Sequence, residues 1–183
     1  MGTAGGCSGN QCTCNGVSLG CGANVPTCGS WDFNSNKVEN WRYGSYDLDH
    51  GTTGALHTAT INGSPALTAS FTNTTGSSLT AEFSVDLCPN AAIVNPSTYA
   101  LSYDVYFLTT SGGRFGSGDA QAFMTDGSGV LLSCQPFISP ASDEWSSEKC
   151  TNLPSAMKNL TLVFRLPDWT GDVYVDNVRF TPK

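Results

Sequence analysis

From Trp31 onward, apolar residues recur at every second position in short runs. Leu79, Ala81, Phe83, Val85 and Leu87 form one series. Leu101, Tyr103, Val105 and Phe107 form another, and Leu160, Leu162, Phe164 and Leu166 a third. A period of two puts alternate side chains on opposite faces of a strand, so each run reads as a strand with one buried face. The pattern predicts strands at Trp31–Asn34, Val38–Tyr46, Ala55–Ile61, Ala66–Thr72, Leu79–Leu87, Tyr99–Thr109, Ala120–Thr125, Val130–Phe137, Asn159–Leu166 and Asp172–Phe180. Turn signals such as Asn62-Gly63, Thr75-Gly76, Ser111-Gly112-Gly113 and Asp126-Gly127 separate them. No stretch carries a helical period. Many short strands with single apolar faces predict an all-β fold, an antiparallel β-sandwich or jelly roll of two sheets.

Residues 1–30 lack this texture. They are Gly, Cys, Ser, Asn and Thr with almost no large apolar side chain. Such a segment cannot bury a core and needs covalent bridges to be ordered. The chain therefore divides into a Cys-rich arm or linker, 1–30, and a sandwich domain, 31–183. The eight cysteines are Cys7, Cys12, Cys14, Cys21, Cys28, Cys88, Cys134 and Cys150. Their spacings lack the Cys-x2-Cys pairs of zinc sites, and His50 and His57 stand far from the cluster. An even, high count reads as disulfides and hence an extracellular, oxidising compartment. Five cysteines precede residue 30 and three follow it, so complete pairing needs a bridge from arm to body. Cys134 and Cys150 bracket a polar stretch and are paired, which leaves Cys88 to tether the arm.

Charge narrows the partners. Eight Lys and Arg face 15 Asp and Glu, a formal net charge of -7. That disfavours duplex nucleic acid and anionic membrane surfaces. No apolar run approaches the roughly 20 residues of a membrane span. Residues 1–3 read as the start of a mature chain, with no signal peptide.

Catalysis is poorly supplied. Glu144 and Glu148 lie about 13 Å apart if on one strand, beyond the roughly 5–9.5 Å of glycosidase carboxylate pairs. Asp47 and Asp49, about 6.6 Å apart on a strand, sit in what reads as a loop entry. No Gly-x-Ser-x-Gly elbow occurs, and His57 reads as structural. Asn62, Asn73 and Asn159 fit the glycosylation pattern, which an Asn-, Ser- and Thr-rich chain produces nearly by chance.

Aromatics are more informative, with 4 Trp, 6 Tyr and 9 Phe among few charges. A sugar ring has an apolar C–H face and a polar rim, and it stacks on aromatic faces while neighbouring polar groups bond its hydroxyls. If Leu101, Tyr103, Val105 and Phe107 face the core, Asp104 and Tyr106 face outward. Gln121 and Arg165 take the non-core faces of their own strands. One outer sheet bearing Tyr106, Asp104, Gln121 and Arg165 would form a polar-aromatic strip. Trp169, between Pro167 and Gly171, is expected in a loop with few neighbours to bury it.

Both ends of the chain carry a resemblance. Trp31-Asp32-Phe33-Asn34 followed by Asn40-Trp41, and Val173-Tyr174-Val175-Asp176-Asn177-Val178 at the close, resemble the jelly-roll carbohydrate-binding modules related to families four, nine, eleven, sixteen and twenty-two. Tyr99–Tyr106 resembles their central Tyr-x-Leu-Ser-Phe strand, and Glu144-Trp145 their Glu-Trp. The resemblance covers residues 31–183. It implies a non-catalytic polysaccharide-binding module, a monomer joined covalently to other domains of a larger secreted, glycan-degrading protein. With the strand reading, it gives Trp41, Tyr43, Asp104, Tyr106, Gln121, Arg165 and Trp169 as ligand-binding candidates. It also implies a structural calcium where the first and last strands meet, at Asp32, Asn34 and Asp176. Asn34 departs from the family's usual Glu. Val175 and Val178 break strict alternation, so a bulge between them would turn Asp176 toward the first strand. Two other readings stay open: a small jelly-roll glycanase or lyase, and an adhesive surface domain.

Overall fold

A computed structural model of the 183-residue chain describes residues 7–8, 11–14, 17–20, 28–45, 52–73, 80–89, 94–108, 121–128, 131–133, 143–150, 153, 156–167 and 169–183. β1 (Cys7–Ser8), β2 (Gln11–Cys14) and β3 (Val17–Gly20) form an antiparallel meander. The alternation did not predict these strands, because the arm has no run of large apolar residues to reveal them. The remaining strands are β4 (Ser30–Trp31), β5 (Arg42–Ser45), β6 (Thr52–Ile61), β7 (Ser64–Asn73), β8 (Thr80–Asp86), β9 (Tyr99–Leu108), β10 (Gln121–Thr125), β11 (Leu131–Ser133), β12 (Trp145–Cys150), β13 (Thr161–Pro167) and β14 (Gly171–Pro182). They make two antiparallel sheets. One has the order β11-β10-β13-β8-β5; the other has β12-β9-β14-β7-β6, with β4 paired to β14. This is the two-sheet sandwich that the alternation predicts.

Local chemistry trims the predicted strands. The first stops at Trp31 because Asp32 Oδ1 accepts from the Asn34 amide and Phe33 takes a left-handed φ of 51°. The second starts only at Arg42 because Glu39 and Asn40 are left-handed too, at 31° and 64°. Asn62 and Gly63, both at positive φ, close the β6–β7 hairpin in the way an Asn-Gly pair favours. Strand β12 was not predicted. It lies at the edge of its sheet and only Cys150 of its six residues is buried, so no apolar alternation marks it.

The core lies between the sheets. Phe83 and Phe164 stack at 4.8 Å with 6° between their planes. Trp41 lies 5.9 Å from each, and Tyr103 meets Phe164 edge-on at 5.1 Å from the other sheet. The inward placement of Tyr103 agrees with the alternation. Burying each such side chain contributes roughly 1.5–3 kcal/mol. The shared seam of the two sheets is close-packed as well: a Cβ on Gly54 of β6 would stand 2.3 Å from the Tyr43 ring of β5.

Segment 28–31 ties the sheets together. Cys28 is bonded to Cys88, 60 residues away, which is the predicted tether of arm to body. The Gly29 amide donates to Leu87, just past β8, while the Gly29 carbonyl accepts from Phe180 of β14. Cys150 is disulfide-bonded; its predicted partner Cys134 lies outside the described residues, as does the pairing of the remaining arm cysteines.

Converting both Cys28 and Cys88 to Ala should lower the unfolding free energy by about 2–4 kcal/mol. In urea titrations the midpoint should fall and the slope should rise, because the denatured chain without the cross-link exposes more surface; an unchanged midpoint would show that the tether does not stabilise the sandwich.

Candidate functional site

Strand register decides which outward residues share a surface. On β8, inward Ala81, Phe83 and Val85 leave Thr80, Glu82, Ser84 and Asp86 outside. On β13, inward Leu162, Phe164 and Leu166 leave Thr161, Val163 and Arg165 outside. Cross-strand partners then set rows over the outer face of the five-stranded sheet. One row is Gln121, Arg165, Glu82 and Gly44; the next is Phe123, Val163, Ser84 and Arg42. Phe123 and Val163 are buried beneath the polar side chains of this face. Arg165 lies over the Phe123 ring, 4.7 Å from its centroid, and its Nε donates to Glu82. Arg42 pairs with Asp86 at 2.7 Å, and Thr161 also donates to Asp86. The result is a polar face of two internally neutralised ion pairs and an exposed Gln121.

Asp104 and Tyr106 are elsewhere. They lie on the outer face of the six-stranded sheet, where Trp145, Tyr106 and Tyr174 are neighbours in one row. The single strip expected of Tyr106, Asp104, Gln121 and Arg165 is thus divided between opposite sides of the sandwich. Tyr106 does face outward, but it is only 4% exposed, packed with Tyr174 and Ala66 and flanked by Trp145. It is a satellite cluster rather than an open platform.

Three further candidates are more buried than expected. Trp169 is 1% exposed and meets Phe107 edge-on at 5.4 Å: the loop folds its indole into the core. Trp41 belongs to the central stack. Tyr43 faces inward, half-buried, 5.4 Å from Phe71. Sequence reasoning left out Phe123, Val163, Glu82 and Arg42. Period two gave the first three outward positions, but only sheet pairing brings them beside Arg165.

Where β4 meets β14, the register slips between Asp176 and Arg179, and Asn177 is left-handed. This is the bulge predicted between Val175 and Val178. Asp176, 5% exposed, accepts from the Asn177 amide and from Ser64 Oγ. Asn177 Nδ2 donates to Asp104, which also accepts from Ser147. Burial pushes the Asp176 carboxyl above the ordinary carboxylate range, and the charges of Asp104 and Asp32 push the same way against the two hydrogen bonds. Among the described residues, no three of His, Cys, Asp and Glu form a metal-binding group.

No protein-family model and no curated protein matches the chain. Solved structures do. A family 61 carbohydrate-binding module, TmCBM61, solved with β-1,4-galactotriose, superposes with a TM-score of 0.52 at 14% identity, over 83% of this chain and 94% of that one. A family 11 module of a Clostridium thermocellum cellulosomal cellulase gives 0.52 at 16% identity, over 85% and 96%. The fold is the jelly roll of carbohydrate-binding modules. A Clostridium thermocellum Xyn10B chain that holds a family 22 module and a xylanase module matches at 0.50 and 16% identity, over 85% of this chain and 28% of that one. At these identities the likeness speaks for the fold alone.

Two outcomes follow. Tyr106→Ala should destabilise by roughly 3–5 kcal/mol, as expected when a large buried aromatic is truncated; an unchanged melting temperature would mean that Tyr106 is an open surface residue. Asp176 has its folded pKa raised, so its stabilising contribution is complete below the ordinary aspartate value of about 3.9 and is lost as pH rises through the raised one. In chelator, Asp176→Asn should flatten that part of the stability–pH curve. An identical curve would remove the buried charge from the account.

Proposed function

We propose that this protein is a non-catalytic polysaccharide-binding module, monomeric and part of a larger secreted protein, that holds a neutral glycan on the outer face of the five-stranded sheet. The observation that carries this reading is the row of open or partly open polar side chains on this face, Gln121 with the Arg165–Glu82 and Arg42–Asp86 pairs. These groups offer donors and acceptors for the hydroxyls of a pyranose. Because each of these charges already pairs with its opposite, the strip is nearly neutral; a polyanion would meet Glu82 and Asp86. The pairs also hold one another in place, which lowers the ordering cost of binding. The ligands in the two solved complexes, galactotriose in one and xylohexaose in the other, are neutral oligosaccharides, which agrees with this choice. The carboxylates of the strip suit binding rather than hydrolysis. Glu82 and Asp86 are four residues apart on one strand, about 13 Å, wider than the roughly 5–9.5 Å that glycosidases use.

The proposal includes a structural calcium held by Asp176, Asp32 and Asn34. Two carboxylates, an amide and nearby backbone carbonyls are the oxygen donors this ion takes. Asp176 is buried and faces like charges from Asp32 and Asp104, a repulsion that a cation would relieve.

Affinity electrophoresis over a panel of neutral polysaccharides should show retention that is nearly independent of salt, since neutral contacts are little screened. Arg165→Ala and Gln121→Ala should each weaken it, by about tenfold or more for Arg165. Retention only on acidic polymers, or full retention by both variants, would overturn the assignment of this face. Reducing-sugar release from any of them would restore the enzyme reading. For calcium, thermal melts at a free concentration of ~100 times Kd should show about 2.7 kcal/mol of added stability; identical melts in calcium and in chelator would remove the ion.

A further inference from the structure

The row Phe123, Val163, Ser84 and Arg42 ends at β5, the edge strand of its sheet. At the corner where β5 begins and β8 ends there is a cavity of about 560 Å3, within the ordinary range of small-molecule sites. Segment 29–31 forms one wall, residues 39–41 another, and Pro89 adjoins them. Arg42 and Asp86 belong at once to the strip and to the cavity. We propose that this cavity takes the terminal unit of a glycan chain, so that the module grips chain ends rather than internal stretches. The inference rests on the binding reading above and names the part of the ligand that is bound.

Three observations carry it. First, the walls are aligned to stop a chain. Strand β4 pairs with β14 of the other sheet, and the Gly29 bonds to Leu87 and Phe180 carry this segment from one sheet to the other beside the end of β8. A chain that turns at Arg42 toward the end of β8 enters this cavity and meets that segment. Second, the lining suits a sugar ring. Trp31 and Trp41 supply apolar surface, while Ser30, Glu39 and Asn40 are exposed polar groups around it. A terminal residue carries a free hydroxyl that an internal residue spends on its glycosidic bond, and so can satisfy more of these groups. Third, the walls are built under constraint. Glu39 and Asn40 are consecutive non-glycine residues at positive φ, a costly backbone that tends to be kept at functional sites. Gly29 has no room for a side chain, since a Cβ there would lie 2.4 Å from the Trp31 ring.

The test uses the full chain and the neutral polysaccharide that retains it best. Binding capacity is measured at constant polymer mass before and after limited random cleavage, which multiplies chain ends. A borohydride-reduced sample, with its reducing-end ring opened, shows which terminus is held. Capacity should rise in proportion to the number of ends. Ser30→Trp, which fills the cavity, should weaken oligosaccharide binding by about tenfold or more, roughly 1.4 kcal/mol, with the melting temperature kept. Capacity that follows polymer mass instead of ends overturns the inference, whether or not the variant folds. So does wild-type affinity in a folded Ser30→Trp. If Arg165→Ala still weakens binding in that case, the binding face survives and only end recognition is lost. No retention by the wild type overturns both.

Discussion

Phe83 stacked on Phe164 is the contact from which the rest of the molecule follows. The pair joins neighbouring strands β8 and β13 in the middle of the five-stranded sheet, and Trp41 and Tyr103 close around it from β5's entry and from the opposite sheet. Because successive side chains on a strand point to opposite faces, turning Phe83 and Phe164 inward obliges Glu82, Ser84, Val163 and Arg165 to face outward. The Arg165–Glu82 pair and Val163 beside it are therefore the reverse side of the core. A one-residue slip would move both sets together.

The same argument explains how much could be read from the sequence. The strands with strong apolar alternation, such as Leu101–Phe107 and Leu160–Leu166, were legible, as were the Asn62-Gly63 hairpin and the bulge before Val178. Edge strand β12 was not, since it has no consistently buried face. For the site, Gln121 and Arg165 could be recognised as outward residues. Their separation from Asp104 and Tyr106 could not, because periodicity assigns a face to each strand and says nothing about which sheet that strand joins. The buried state of Trp169 depends on Phe107, some sixty positions earlier in the chain, and flanking Pro and Gly do not reveal such a contact.

The two outer faces also differ in kind. On the six-stranded sheet, Trp145, Tyr106 and Tyr174 pack on one another beside a hydrogen-bonded group of Asp104, Asp176, Asn177, Ser64 and Ser147. Aromatic burial and polar satisfaction there serve the structure. On the five-stranded sheet the charged side chains are partly open and already paired, an arrangement that presents donors and acceptors without a net field. Segment 28–31, held by Cys28–Cys88 and by Gly29, ties this face to the other sheet at the corner where the cavity lies.

The measurement that tests the central claim most directly is a titration of isotope-labelled protein with a neutral oligosaccharide, followed by backbone amide chemical shifts. The account predicts that the shifts concentrate on β8, β10, β13 and Arg42, and leave Tyr106, Trp145 and Tyr174 unmoved. Perturbations gathered on β9, β12 and β14 would contradict it and place the glycan on the opposite side of the sandwich.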